Sequence, residues 1–109
     1  MSRQFTKAGL QHVEVFPTAG HPIVYGDFLE AAGRRTVLIY GHLDVQPEDP
    51  LDEWTSPPFE PTLRGEYLFA RGVSDMKANG VAVLKALEAS IGNGSLPVNV
   101  KVVFEGEEE

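Results

Sequence analysis

Apolar and polar residues alternate through His12–Phe16, HVEVF, and that period of two predicts a strand. PTAGHP breaks the pattern. IVYGDFLEAAG (23–33) then reads as a second strand running into a glycine-terminated turn, placed to pair with the first. RRTVLIYG (34–41) is different, because TVLIY is a continuous, β-branched apolar run. Such a run predicts a strand buried on both faces, in the middle of a parallel or mixed sheet.

From Gln46 to Pro61, QPEDPLDEWTSPPFEP holds five of the chain's eight prolines, so a long ordered loop without regular structure is expected. Trp54 and Phe59 predict that this loop is packed, since large aromatics are seldom left in water. TLRGEYLFARG (62–72) reads as a hairpin turning around Arg64, Gly65 and Glu66. In SDMKANGVAVLKALEASIGNG (74–94), Val83, Leu84, Leu87 and Ile91 recur at helical spacing, and Gly92-Asn93-Gly94 supplies the stop. LPVNVKVVFEG (96–106) closes the series with Val98, Val100, Val102 and Phe104 on one face of a strand and Val103 on the other. No helix is predicted in the opening MSRQFTKAGL. The order β, β, β, loop, β-hairpin, α, β implies an α/β sandwich with a mixed sheet, its crossover helix packed on a sheet that contains TVLIY and VNVKVVF.

Composition narrows the function. A chain of 109 residues holds one modest core, so one domain or part of one is expected. The formal charge of −7, with lysine and arginine scattered, excludes a basic nucleic-acid surface. Without cysteine there is no thiolate metal site, so any metal must be held by His, Asp and Glu; a reducing cytoplasm fits. No apolar stretch approaches the roughly 20 residues a membrane helix needs, and the first residues lack a signal-peptide core.

Three polar clusters stand where open α/β sheets bind ligands, at strand ends or before a helix. In GHLDV, His42 and Asp44 are two apart and leave an extended chain on the same face, which suits an imidazole whose second nitrogen is held by a carboxylate. A lone histidine is more often structural. Asp75 precedes the helix, where Ser74 or Asp75 would be an ordinary N-cap, yet a carboxylate there could also bridge two cations. EGEEE continues an apolar strand directly. It is either a solvated tail or a group of carboxylates that divides the work of ligand and base.

GHLDVQP, WTSPPFEP, YLFARGVSDMK and LPVNVKVVFEGEEE, in that order, resemble the dinuclear zinc metallopeptidase family of aminoacylase, acetylornithine deacetylase, succinyl-diaminopimelate desuccinylase, carboxypeptidase G and carnosinase. The dipeptidase branch is the most similar, and the likeness runs from about Val13 to Glu109. It implies a partial three-layer sandwich of the zinc-peptidase type. It also implies His42 as a metal ligand, Asp44 as its supporting carboxylate, Asp75 as the bridging ligand, Glu108 as general base and Glu109 as metal ligand. Glu105-Gly106 anchors that register, and a one-residue slip to Glu107 and Glu108 satisfies the same anchor.

Ala70 and Ala78-Asn79 depart from glycines common in the family, without touching a proposed ligand. The resemblance further implies two Zn²⁺ per complete site, with Mn²⁺ or Co²⁺ as substitutes, and hydrolysis of small peptides or N-acyl amino acids. Residues 1–109 would be the N-terminal part of a catalytic domain, inactive alone, whose further ligands and lid or dimerisation domain lie downstream; the parent would form a homodimer. The rival expectation is a non-catalytic metal-binding or interaction module on the same fold.

Overall fold

The computed structural model describes residues 1–109. Six strands and two helices follow in the order α1 (Ser2–Lys7), β1 (Gln11–Phe16), β2 (Ile23–Phe28), β3 (Thr36–His42), β4 (Thr62–Arg64), β5 (Tyr67–Phe69), α2 (Ala78–Gly92) and β6 (Asn99–Glu105). The main sheet has the order β1-β2-β6-β3. β1 and β2 pair antiparallel, as do β2 and β6, whereas β3 and β6 run parallel, so the sheet is mixed. A parallel pair needs a crossover, and α2 lies within it. β4 and β5 form a separate hairpin whose turn passes through Gly65 at φ 59°.

The core lies on one face of this sheet. Val24, Val100, Val102 and Phe104 project toward Phe5, Ala8 and Leu10 of the N-terminal segment and toward Leu84 and Leu87 of α2. Phe5 and Phe104 meet edge to face with ring centroids 5.4 Å apart, a geometry that aligns one ring's positive edge with the other's negative face. Asn99 ties β6 to the turn after β2, donating to the carbonyls of Ala31 and Arg34 and accepting from the Ala31 N–H.

The structure corrects four expectations. A helix does open the chain: α1 is only six residues long, too short for periodicity to reveal, and is held by the burial of Phe5. TVLIY is not buried on both faces. β6 inserts between β2 and β3 and takes the central place, leaving β3 at the edge with Leu38 65% and Tyr40 51% exposed. A continuous apolar run cannot distinguish these two positions, because hydropathy carries no information on strand order. Phe59 is 57% exposed, and only Trp54 is tucked in, its indole N–H donating to the Glu48 carbonyl.

Neither Ser74 nor Asp75 caps the helix. α2 starts at Ala78 with Lys77 at its N-cap position and no side-chain cap bond. Val73–Lys77 is a separate wide turn closed by the Lys77 N–H donating to the Gly72 carbonyl. Asp75 within it is extended, at φ −122° and ψ 103°. That irregular turn brings Asp75 to the end of the sheet.

Candidate metal centre

Parallel pairing of β3 and β6 puts His42 opposite Glu105, so both strands end at the same edge. The chain beyond each end is stitched to the other. The Leu43 N–H donates to the Glu105 carbonyl at 2.7 Å, and the Glu109 N–H donates to Asp44 Oδ2 at 2.7 Å. The turn carrying Asp75 is clamped against the same place: Lys77 Nζ donates to the Leu43 carbonyl at 2.8 Å. Gly72 makes that approach feasible. Its φ is 80°, and a Cβ there would lie 2.5 Å from Val45 Cγ1.

His42 is the buried centre, 6% exposed, between carboxylates. Its Nε2 is 3.1 Å from Asp75 Oδ1 and 3.9 Å from Glu108 Oε2. Its Nδ1 faces Asp44 Oδ1 at 3.4 Å without hydrogen-bond alignment, so both buried atoms lack a partner. Ligand atoms of His42, Asp75 and Glu109 all lie within 4.8 Å of one another. Every position predicted from sequence for the site is therefore brought together. Glu107 is not: a Cβ added at Gly20 would sit 1.9 Å from Glu107 Oε1, which places that carboxylate against the β1–β2 connection.

The electrostatics are one-sided. No lysine or arginine forms an ion pair with Asp44, Asp75, Glu108 or Glu109; His42 alone faces the first three. Burial of the imidazole favours its neutral form, but the hydrogen bond to Asp75 and the charges of Glu108 and Asp44 outweigh it and raise the His42 pKa. Asp44 is held below the usual carboxylate range, chiefly by the Glu109 N–H it accepts. Tyr40 donates to Glu105 Oε1, and that bond to a carboxylate pushes the phenol up to about 12.

One imidazole nitrogen, Nε2 of His42, facing carboxylate oxygens of Asp75 and Glu108, with Glu109 beside them, is a donor set that fits a divalent metal ion. A polar cavity of about 200 Å³ borders the carboxylates, lined by Gln46, Trp54, Arg71 and Ser74 beside Asp75 and Glu109. On the helix side His42 borders an apolar cavity of about 260 Å³ between α1 and α2.

Sequence reading passed over three neighbours. Gln46 Nε2 donates to Glu109 Oε2 at 2.6 Å. Met76 Sδ accepts from the His42 N–H at 3.3 Å. Arg71 Nη2 donates to the Pro47 carbonyl at 2.9 Å and its guanidinium stands 5.1 Å from the Trp54 ring. Only proximity in the motifs could have flagged them, since an amide, a thioether and a scattered arginine carry no spacing signature.

Peptidase family M20/M25/M40 matches residues 38–109. The chain is 44% identical over 91 residues to the Cys-Gly metallodipeptidase of Candida albicans, covering 81% of this chain and 19% of that one. It is 54% identical over 57 residues to the succinyl-diaminopimelate desuccinylase of Aromatoleum aromaticum, covering 51% and 15% respectively. The crystal structure of an M20 family metallo-carboxypeptidase from Sulfolobus solfataricus superposes with a TM-score of 0.87 at 39% identity, over 97% of this chain and 24% of that one. The chain thus spans less than a fifth of the length of these two curated relatives. No helix is long and apolar enough to cross a membrane. The matched span starts inside β3 and takes in the Asp75 turn, α2, β6 and the carboxylates beyond it, so the strands that build the cluster are the part recognised, and the chain belongs to peptidase family M20/M25/M40.

Proposed function

We propose that this chain carries one side of the metal centre of a hydrolase that cleaves peptide or N-acyl amino acid amide bonds in small substrates. The observation that carries the reading is the convergence of His42, Asp75 and Glu109 ligand atoms within 4.8 Å, with Glu108 at their edge. His42, Asp75 and Glu109 would hold metal in a complete site of two Zn²⁺ ions, with Asp75 the shared ligand. Mn²⁺ or Co²⁺ suits the same nitrogen and oxygen donors. Bound there, such ions supply Lewis acidity that polarises the scissile carbonyl and makes water a nucleophile at neutral pH.

The chain's own residues do the rest. Asp44 Oδ1 lies 3.4 Å from Nδ1 of His42, and a proton held on that nitrogen beside the carboxylate would leave the Nε2 lone pair for the metal. Glu108 takes the proton of the attacking water on a carboxylate oxygen and gives it to the leaving amine nitrogen, so one group serves as base and then acid. The bland alternative for the acidic run, a solvated tail, does not account for the bond from the Glu109 N–H to Asp44.

Residues 1–109 are read as the N-terminal part of such a catalytic domain, supported by the 15–19% of the relatives' length that the chain spans. The remaining ligands, the lid and any homodimer contact would then belong to a longer protein, in a cytoplasmic setting that a cysteine-free chain suits. In a protein containing this chain and active on dipeptides, Glu108→Gln lowers kcat by about 10²–10⁴ while metal content is unchanged. Retained turnover in that variant, with loss in Glu107→Gln, would shift the base by one residue. Robust, chelator-sensitive hydrolysis by residues 1–109 alone would contradict the reading of an inactive part.

A further inference from the structure

Glu109 is exposed, and an exposed glutamate ordinarily samples many rotamers. Here it is tethered twice by one segment, GHLDVQP. Asp44 Oδ2 accepts its backbone N–H at 2.7 Å, and Gln46 Nε2 donates to its Oε2 at 2.6 Å. A carboxylate only accepts, so the Gln46 amide nitrogen, not its oxygen, must face it. Oε1 of Glu109 takes part in no hydrogen bond. One oxygen is thus held by the amide while the other keeps its lone pairs unengaged.

Gln46 is itself held. Arg71 Nη2 donates to the carbonyl of Pro47, the next residue, and the Trp54 indole donates to the carbonyl of Glu48. The Arg71 N–H donates to the Pro58 carbonyl at 2.7 Å, which fastens the far end of the proline-rich loop to the same residue. The loop therefore presents Gln46 from a fixed base, and the amide adds one directional bond to an otherwise free carboxylate.

We propose that Gln46 is a positioning residue for Glu109, holding one carboxylate oxygen so that the residue stays within ligand distance of His42 and Asp75. The proposal rests on the metal-centre reading above. An unrestrained Glu109 must lose its rotamer freedom when it binds a cation, and the Gln46 bond removes part of that cost beforehand. Because Gln46 is exposed, its replacement leaves the core intact.

The test is calorimetric titration of the 109-residue chain with Zn²⁺, in wild type, Gln46→Leu, Glu109→Gln and the double variant. Circular dichroism and thermal melting without metal check that each is folded. Gln46→Leu is expected to weaken Zn²⁺ binding roughly ten- to a hundredfold, the range for loss of a group that orients a ligand. In the Glu109→Gln background the same change should cost less than about twofold, because the oriented charge is gone. Undiminished affinity in Gln46→Leu overturns the proposal. So does a loss that is equally large with Glu109→Gln already in place, since Gln46 would then act elsewhere. If His42→Gln, Asp75→Asn and Glu109→Gln all bind Zn²⁺ like wild type, the metal-centre reading fails first, and its failure is seen separately. A metal-free readout stands beside these: Glu109→Gln should shift the Gln46 side-chain amide resonances, and an unmoved signal counts against the contact.

Discussion

Val100–Phe104 and Glu105–Glu109 are consecutive stretches of one chain built on opposite physics. In the first, alternate side chains are removed from water, with Val102 and Phe104 at most 2% exposed, and the backbone is paired on both sides. In the second, the backbone leaves the sheet after Glu105, and Glu108 and Glu109 join Asp75 around one buried imidazole while Glu107 turns toward Gly20. The first stretch supplies stability and no chemistry. The second carries carboxylates whose geometry it cannot hold alone, since the bonds that place it come from Leu43, Asp44 and Gln46. The strand is the rigid member, and the site borrows its position from it.

The comparison breaks most severely in the core. Phe104→Ala removes the ring that meets Phe5 and is expected to cost about 3–5 kcal/mol, a large share of the 5–15 kcal/mol typical of a domain. Urea denaturation monitored by circular dichroism measures it, and a cost below about 1 kcal/mol would mean that the two stretches do not differ as described.

At the site, the effect should depend on metal. Zn²⁺ at a hundred times its dissociation constant is expected to raise the unfolding free energy of the wild-type chain by about 2.7 kcal/mol, reversed by a chelator. Asp75→Asn or Glu109→Gln should abolish most of that gain yet alter metal-free stability by less than about 1 kcal/mol, because both side chains are exposed. Equal losses with and without metal would make these residues structural.

pH sharpens the contrast further. The raised His42 pKa means that its pairing with Asp75 and Glu108 stabilises the metal-free fold fully below the unfolded-state value and ceases to do so as pH rises through the folded value. Asp44 acts oppositely: its lowered pKa contributes above the unfolded value and is lost as pH falls through the folded one. Metal affinity should rise with pH over the range in which His42 loses its proton, since cation and proton compete for it. NMR titration of the imidazole, with His42→Gln as control for the stability profile, checks both signs. The smallest effects belong to neither stretch: Leu38→Thr on the exposed face of β3 and Leu63→Ser on the hairpin should stay within about 0.5 kcal/mol in the same denaturation assay.

Much of this was legible along the chain. Period two marked β6, three-and-four spacing marked α2, and Gly92-Asn93-Gly94 marked its end, because these patterns record which side of an element meets the core; period two also located β1, although only its Val13 turns inward. His42, Asp44, Asp75, Glu108 and Glu109 could be nominated because polar residues crowd the ends of apolar runs, and because four ordered motifs resemble one family. Other features are properties of the assembled molecule. That β6 and not β3 is central follows from which strands pair, and hydropathy does not encode pairing. That Asp75 belongs to a wide turn and not to a cap depends on the turn's contacts with Leu43 and Val45, which are distant in sequence. Glu107 and Glu108 are chemically identical neighbours in the sequence; only the direction of the backbone beyond β6 sends one toward Gly20 and the other toward His42. Sequence alone thus determined the elements and the chemical types available, while tertiary structure decided which of those groups meet, because meeting depends on strand order and chain direction at the sheet's edge.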